Sequence, residues 1–242
     1  MIRAVGFDLD DTLLDHRGAA STAIASLLRQ QGWVYEGATE FGKEWQRLEQ
    51  LHFAEYIAGN LTLIQQRRAR MRDFLALVEV EAHEAELDDL FKEFLSHYAK
   101  SWVAFPDVMP TLGELHHSGF RLAVLTSGQQ EQQEAKLASM GLLEMFDSVL
   151  AIGTLSVPKP DARAFLELSS ALGCPPHEVV YVGDDPQWDA LAATKAGLRG
   201  VWLNREGQDG PDGIGTQVRT LDSLIPAIHE WNGMIAQQGE SL

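Results

Sequence analysis

The sequence predicts an α/β protein, with a Rossmann-like parallel sheet core and an inserted all-α subdomain. Three observations carry this prediction. An apolar strand at residues 2–7 leads directly into a group of acids, and residues 18–102 then show helical spacing throughout. From Pro106 onward, helices and strands alternate with short loops between them. Alternating β-α-β segments fold as a parallel sheet with helices on both faces.

The first strand is a short apolar run of the kind that is buried in parallel sheets. Asp8, Asp10 and Asp11 follow it at once, and Thr12 comes next. Residues two apart in an extended segment point to the same side, so we expect Asp8 and Asp10 to face one cavity at the carboxyl end of the strand. Asp and Thr also suit turns and helix caps, but two anions in one cavity indicate a bound cation or a chemical role.

The helical stretch has apolar residues at spacings of three and four. Two of its stripes are Trp45, Leu48, Leu51, His52 and Tyr56, and Leu87, Leu90, Phe91, Phe94 and Tyr98. The stretch is too long for an ordinary crossover connection. We therefore predict an all-α cap at residues 16–102, inserted into an α/β catalytic core of residues 1–15 and 103–242.

Three arginines, Arg67, Arg68 and Arg70, lie close together in this helical stretch. They could bind a substrate anion, but charged residues on a helix most often form its solvated face. The solvated face is the interpretation that the sequence favours, and the three arginines are not assigned to a site.

The alternating part of the chain predicts ten elements in order. Helices are expected at 107–119, 129–141, 159–173, 186–197 and 221–234, and strands at 120–126, 146–152, 177–183, 199–204 and, as an edge strand, 216–220. In such sheets, ligands bind outside the carboxyl ends of the strands.

Composition excludes several classes of protein. The chain has 242 residues and a formal net charge of −16, which argues against binding to nucleic acid, because that binding depends on Lys and Arg. The single cysteine, Cys174, excludes an internal disulfide and is expected to be a small apolar filler. We find no targeting segment and no apolar run long enough for a membrane span. The expectation is a soluble cytoplasmic protein, monomeric or homodimeric, that binds no membrane.

Polar residues follow the other predicted strands at the same edge of the sheet. Thr126 and Ser127 come after the second predicted strand, and Lys159 comes after the third. Each of them could be a helix cap, a turn residue or a surface residue, but their coincidence at one edge predicts a single site. The fourth strand is followed by three acids, Asp184, Asp185 and Asp189.

Phosphoryl transfer is the chemistry that needs such a set. Asp8, with an ordinary pKa of about 3.9, is ionised at neutral pH and can attack phosphorus to form an aspartyl phosphate. Two like charges about 4 Å apart repel by about 4 kcal/mol at an effective dielectric constant of about 20. A divalent cation on Asp8, Asp184 and a backbone carbonyl would offset this repulsion, and Mg²⁺ is the usual choice.

The remaining residues have complementary roles in this scheme. Lys159 would hold the nucleophile and a phosphate oxygen, while Thr126 or Ser127 and backbone N–H groups would bind the other phosphate oxygens. Asp10 is placed to protonate the leaving alcohol and later to deprotonate the hydrolytic water.

Four segments, FDLDDTLLD, LTSG, VPKPD and GDDPQWD, resemble in order and separation the four motifs of the haloacid dehalogenase-like (HAD) hydrolase superfamily. The resemblance covers essentially the whole chain, and the helical insert is similar to the helical cap of subfamily I. It implies a nucleophile at Asp8, an acid/base at Asp10, phosphate binding by Thr126, a third-motif lysine at Lys159, a metal ligand at Asp184 and acidic support from Asp185 and Asp189. Taken with the reasoning from the residues, the prediction is phosphate binding by Thr126, Ser127 and Lys159, and Mg²⁺ binding by Asp8, Asp10 and Asp184.

The predicted function is Mg²⁺-dependent hydrolysis of a small organic phosphate monoester. By the same resemblance, a 2-haloacid dehalogenase uses the same nucleophile without a metal and without an acid two residues later, so Asp10 and the acidic fourth segment favour a phosphatase. A phosphomutase keeps every motif. A phospho-acceptor switch also uses clustered acids, a hydroxyl and a lysine, although the helical insert and Asp10 argue against it. Ser127 stands where many helical-cap members carry Asn, which leaves the substrate open.

Overall fold

The computed structural model describes residues 1–34 and 40–239. Residues 35–39, which fall within the predicted helical stretch, and the last three residues of the predicted core lie outside the described residues. The chain divides into two compact units: a core unit, Met1–Leu14 with Ala104–Leu242, and a helical unit, Asp15–Val103.

The described part of the core unit is built on six strands. These are β1 (Ala4–Phe7), β2 (Arg121–Gln129), β3 (Ser148–Ile152), β4 (Val179–Gly183), β5 (Arg199–Leu203) and β6 (Gln217–Val218). They form one sheet in the order β3-β2-β1-β4-β5-β6, and every neighbouring pair is parallel. The predicted α/β class with a Rossmann-like parallel sheet is confirmed, and the short strand predicted near the C-terminus lies at the edge of the sheet.

The helices that cover this sheet follow the predicted alternation. Those of the core unit are α5 (Val108–His117), α6 (Gln130–Ser139), α7 (Ala162–Ala171), α8 (Ala192–Lys195) and α9 (Leu224–Gly239). A π-helical turn, Pro186–Leu191, precedes α8, where the sequence predicted a single regular helix. Cys174 is buried against the apolar cluster formed by α7 and the sheet, as expected for a filler.

The helical unit contains α1 (His16–Gln31), α2 (Phe41–Ile57), α3 (Leu63–Leu77) and α4 (Glu84–Ala99). Its core is aromatic: the Trp45 ring lies 5.3 Å from the Phe74 ring and 4.4 Å from the Phe94 ring, measured between centroids. The predicted apolar stripe of α2 is wrong at Leu51, which is 50% exposed. Among the described residues, we find no helix with the length and apolar character that a membrane crossing requires.

The solvated-face interpretation of the three arginines is wrong for Arg70, which is 6% exposed. Its guanidinium lies over the rings of Trp45 (4.8 Å) and Phe91 (5.0 Å) and forms an ion pair with Glu49. Glu49 also accepts a hydrogen bond from the ring of His16 at 2.9 Å. A planar guanidinium can stack between aromatic rings and still pair with a carboxylate, which explains how this charge is buried.

We expect replacement of Arg70 with Met to destabilise the protein by about 3 kcal/mol, because it leaves the Glu49 carboxylate partly buried without its main counter-ion. Burial alone would raise the pKa of Glu49, but the charges of Arg70 and His16 outweigh burial and hold this pKa well below its usual range. The stabilisation from this ion pair is therefore fully present above pH 4.5, the ordinary pKa of a glutamate, and is lost as the pH falls below that value. Urea unfolding at several pH values should show the gap between wild type and variant closing in acid.

Arg68 provides the matched control. It pairs on the surface with Asp88 and Glu84, and exposed pairs contribute at most about 1 kcal/mol. The assignment of Arg70 as the buried counter-ion of Glu49 would be contradicted by either of two results. One is an Arg68→Met variant as unstable as Arg70→Met, and the other is a loss of stability in Arg70→Met that is the same in acid as at neutral pH.

Candidate active site

The carboxyl ends of the three central strands bring together residues that are far apart in the sequence. Strand β1 lies between β2 and β4, and its last residue, Phe7, pairs with Val124 on one side and Val182 on the other. The backbone N–H of Asp8 donates to Val182 O at 2.9 Å, which fixes the start of the following turn beside the end of β4. Asp8 itself is 6% exposed, so its carboxylate is held within the protein.

Lys159 is the centre of a buried cluster, and it is only 4% exposed. Its ammonium donates to Asp8 Oδ1 at 2.7 Å, to Asp189 Oδ1 at 2.6 Å and to the Tyr181 hydroxyl at 3.0 Å. Tyr181 in turn donates to the carbonyl of Leu125 at 2.8 Å. All three ammonium hydrogens therefore have acceptors, and the orientation of the lysine is determined from three sides.

The buried cluster around Lys159 contains more acidic than basic groups, and burial together with these charges shifts the pKa values of its members. Burial raises the pKa of Asp8 to about 7, with further contributions from the Asp189 and Asp10 carboxylates, while Lys159 acts in the opposite direction. Burial would lower the pKa of Lys159, but Asp189 and Asp8 outweigh it and hold this pKa well above its usual range. The lysine is thus cationic, and one cation faces two buried carboxylates.

Asp184 adds a third carboxylate. One oxygen each from Asp8, Asp184 and Asp189 can be found within 4.8 Å of one another, a grouping able to hold a metal ion. When all three are ionised, these carboxylates and the Lys159 ammonium together carry two excess negative charges, which a divalent cation would neutralise. Oxygen ligands of this kind fit Mg²⁺, so the residues present fit the predicted metal.

The turn after β4 explains how Asp189 enters this group. Asp189 Oδ2 accepts the backbone N–H of Asp185 at 3.1 Å, so its carboxylate folds back over the strand end. A Cβ at Gly183 would lie 2.2 Å from Asp189 Oδ2, and only glycine leaves room for it. The Asp185 carboxylate instead accepts the backbone N–H groups of Gln187 (2.8 Å) and Trp188 (2.7 Å) and caps the π-helical turn.

The phosphate-binding candidates lie where β2 becomes irregular. Leu125 pairs with Leu150 and Gln129 with Ile152, so the register against β3 shifts across the residues between Leu125 and Gln129. Thr126 in this segment is 1% exposed, whereas Ser127 is half-buried. The shift takes both residues out of regular pairing at the carboxyl edge of the sheet, the region where such sheets bind ligands.

The Asp10 carboxylate contacts two residues of α6. Its two carboxylate oxygens accept from the Lys136 ammonium at 2.6 and 2.8 Å. Gln133 Nε2 donates to Asp10 Oδ2 at 3.0 Å and to Thr126 Oγ1 at 2.6 Å. The structure thus places Asp8, Lys159, Asp184 and Asp189 in one group, and joins Asp10 to Thr126 in a second.

Sequence reasoning missed Gln133, Lys136 and Tyr181. The signal for the first two was their spacing: Gln133, Lys136 and Leu137 are three and four residues apart and share the buried face of α6. Two polar residues beside an apolar one on an inward face require polar partners. Tyr181 gave no such signal, because an aromatic residue inside an apolar strand is ordinary.

Comparison with known proteins agrees with these motifs. The model of the haloacid dehalogenase-like hydrolases matches residues 2–197. A glyceraldehyde 3-phosphate phosphatase of Methanopyrus kandleri is 30% identical over 216 residues, which is 85% of each chain. The (S)-2-haloacid dehalogenase 4A of Burkholderia cepacia is 28% identical over 241 residues, which cover 94% of this chain and 95% of the relative.

Solved structures agree on the fold. A putative HAD-hydrolase from Bacillus subtilis, solved with bound magnesium, superposes with a TM-score of 0.79 over 92% of this chain and 96% of its own, at 20% identity. This likeness supports the α/β architecture alone. The family model extends from β1 through α8 and so includes all four motif segments. The resemblance predicted from those segments is confirmed, and the chain belongs to the haloacid dehalogenase-like hydrolase family.

Proposed function

We propose that this hydrolase is a Mg²⁺-dependent phosphatase that cleaves a small organic phosphate monoester through an aspartyl phosphate on Asp8. The observation that carries the proposal is the charge of the buried cluster. Lys159 neutralises one of the three carboxylates of Asp8, Asp184 and Asp189, and a divalent cation would neutralise the other two. The close grouping of one oxygen each from these three carboxylates favours a metal site over a dehalogenase mechanism that needs no metal.

Mg²⁺ bound to these carboxylates would lower the repulsion between the nucleophile and an anionic phosphate. Lys159 holds Asp8 Oδ1, so we assign the attack on phosphorus to Oδ2. The Thr126 hydroxyl and the Lys159 ammonium would bind the non-bridging phosphate oxygens, with Ser127 beside Thr126. As the P–O bond to the alcohol breaks, Asp10 in its protonated form gives its proton to the leaving oxygen. The resulting carboxylate later takes a proton from the water that hydrolyses the acyl phosphate.

The remaining predictions extend this proposal. Asp10 is also a candidate metal ligand, and Asp189 is a candidate for acidic support around the metal. The Asp185 carboxylate caps the π-helical turn, so we expect its support to act through the fold of that turn rather than on the metal. The helical unit would act as a cap that supplies substrate contacts. A cytoplasmic location, a monomeric or homodimeric state and the absence of nucleic-acid and membrane partners remain predictions.

Phosphate release measured with p-nitrophenyl phosphate and a panel of monoesters tests the proposal. The panel includes glyceraldehyde 3-phosphate, because the Methanopyrus kandleri relative carries that name. We expect turnover that EDTA abolishes and that added Mg²⁺ restores. Halide release from chloroacetate or 2-chloropropionate without phosphate release would favour the dehalogenase alternative, which the Burkholderia cepacia relative keeps open. A stable phosphorylated protein without turnover would indicate the phospho-acceptor switch instead of an enzyme.

Two adjacent acids provide a matched pair of variants for the metal. Asp184→Asn should weaken activation by Mg²⁺ at least about 10-fold, since even outer partners of metal sites contribute about 10- to 100-fold to affinity. Asp185→Asn should leave activation nearly unchanged, because Asn also caps helical turns. Equal loss in both variants would contradict the proposed ligand set.

A further inference from the structure

Two residues of α6, Gln133 and Lys136, are buried although they are polar, and no family motif segment contains them. Gln133 is fully buried and Lys136 is 3% exposed. The rest of α6 is mostly open to solvent, with Glu131, Glu134 and Ala135 exposed. A buried ammonium requires a counter-charge, and the carboxylate of Asp10 lies within hydrogen-bond distance of it.

The contact with Lys136 fixes Asp10 more tightly than a single hydrogen bond would. The ammonium is close to both carboxylate oxygens, at 2.6 and 2.8 Å, and Gln133 adds a third donor to Oδ2 at 3.0 Å. Asp10 also experiences repulsion from Asp8, since each carboxylate disfavours the charge of the other. Cationic and amide donors on α6 can hold the Asp10 side chain in place against this repulsion.

The orientation of the Gln133 amide follows from its partners. A carboxylate only accepts hydrogen bonds, so the atom that faces Asp10 must be the amide nitrogen. The same nitrogen donates to Thr126 Oγ1 at 2.6 Å. Thr126 therefore uses a lone pair toward Gln133, and its own hydrogen is left to donate to another acceptor, such as a phosphate oxygen.

Gly128 shows that the end of β2 leaves room for this amide. A Cβ at Gly128 would lie 2.4 Å from Gln133 Cδ and 2.6 Å from Gln133 Nε2. Any other residue there would displace the amide from Thr126 and Asp10. The glycine that follows Thr126 and Ser127 is thus explained by the approach of Gln133.

We propose that Gln133 and Lys136 are positioning residues that hold the Asp10 carboxylate and the Thr126 hydroxyl in one rigid arrangement. This inference rests on the proposed function, in which Asp10 moves the proton and Thr126 binds the phosphate. The Lys136 ammonium contacts the Asp10 carboxylate, whereas the Gln133 amide contacts both Asp10 and Thr126. Replacing Lys136 should therefore affect proton transfer by Asp10, whereas replacing Gln133 should affect both proton transfer and phosphate binding.

The test compares an alkyl phosphate, whose leaving group needs a proton, with p-nitrophenyl phosphate, whose leaving group does not. Lys136→Met should lower kcat for the alkyl ester by about 10- to 100-fold, as expected for misplacement of a reacting group, with a smaller loss for p-nitrophenyl phosphate and little change in KM. Gln133→Leu should also lower kcat, and in addition it should raise KM for both substrates, because Gln133 contacts Thr126 as well as Asp10. Lys136→Arg should restore part of the kcat that Lys136→Met loses.

A double variant separates positioning from a structural role. In an Asp10→Asn background, Lys136→Met should cause little further loss, because residues that act through one group are not additive. Glu131→Gln, on the exposed face of α6, is the control and should match wild type. Circular dichroism and thermal unfolding will show which variants are folded at the assay temperature. If Lys136→Met is not folded there, the Gln133→Leu and Lys136→Arg variants provide the test.

Each outcome bears on a different claim. Equal losses on both substrates, or full additivity with Asp10→Asn, would overturn the inference and leave the proposed function intact. Absence of phosphate release by wild type and by Glu131→Gln would overturn the proposed function, and this inference with it.

Discussion

Replacing Asp8 with Asn is expected to reduce phosphate release to the background rate. The amide has the size of the carboxylate but no anionic oxygen for attack on phosphorus, so the aspartyl phosphate cannot form. Because every turnover passes through that intermediate, the loss should be the same for all leaving groups. Rapid quenching with p-nitrophenyl phosphate should show neither a burst of phenolate nor a phosphorylated protein.

The fold should tolerate this change. Burial, with contributions from the Asp189 and Asp10 carboxylates, raises the pKa of Asp8 from 3.8 to about 7 against the opposing effect of Lys159. Ionisation of Asp8 therefore costs folding free energy as pH rises from 3.8 through about 7. Asn resembles the protonated form, so in EDTA the variant should unfold at the same temperature as wild type or higher above neutral pH.

Asp212, an exposed acid, supplies the control, and Asp212→Asn should retain wild-type turnover. A phenolate burst from Asp8→Asn would mean that another residue is the nucleophile. An Asp8→Asn protein that is unfolded at the assay temperature would contradict the electrostatic account of the cluster.

The sequence could predict where the site lies because the prediction needed only local patterns. The apolar run before Asp8 and the one before Asp184 mark buried strands, and in a parallel sheet the ends of such strands meet at one edge. Lys159 was predicted from the same reasoning, although six residues, 153–158, separate it from the end of β3. The order of the strands was not predicted, since alternation alone does not determine which strands are neighbours.

Burial of charge was the part that local patterns could not predict. Arg70 was interpreted as a solvated residue, yet it lies between Trp45 and Phe91 with Glu49 as its partner. Lys136 has the sequence context of a surface lysine, yet it lies against Asp10. In both cases the partner is distant in the chain, so the contact that makes burial favourable exists only after folding.

Asp10 was predicted in its place but not in its surroundings. The spacing of two residues from Asp8 indicated a shared side of the strand, whereas the structure holds the Asp10 carboxylate against Lys136 and Gln133. The regular strand ends at Phe7, and Asp10 forms an isolated bridge with Leu14 on either side of the turn at residues 11–13. Asp10 is thus held by α6, while it lies near enough to Asp8 for its charge to contribute to the raised pKa of Asp8.

Replacing Asp10 with Asn should give a different defect from the one at Asp8. The nucleophile remains, so the intermediate can form, but the proton donor and the base for the second step are lost. General acid–base catalysis contributes about 10²- to 10⁴-fold, and steady-state turnover should fall within that range. With p-nitrophenyl phosphate, whose leaving group needs no proton, we expect a burst of phenolate close to one equivalent, followed by slow hydrolysis of the acyl phosphate.

The comparison must allow for the stability of the variant, because Asp10→Asn removes the carboxylate that faces the buried Lys136 ammonium. Loss of such a partner can cost up to about 3 kcal/mol, so the burst should be measured below the unfolding temperature of the variant. An alkyl phosphate should give no burst on the same time scale, since formation of the intermediate then requires the missing acid. A complete loss that is equal for both leaving groups, without any burst, would show that Asp10 takes part in attack itself and that the two acids have been given the wrong roles.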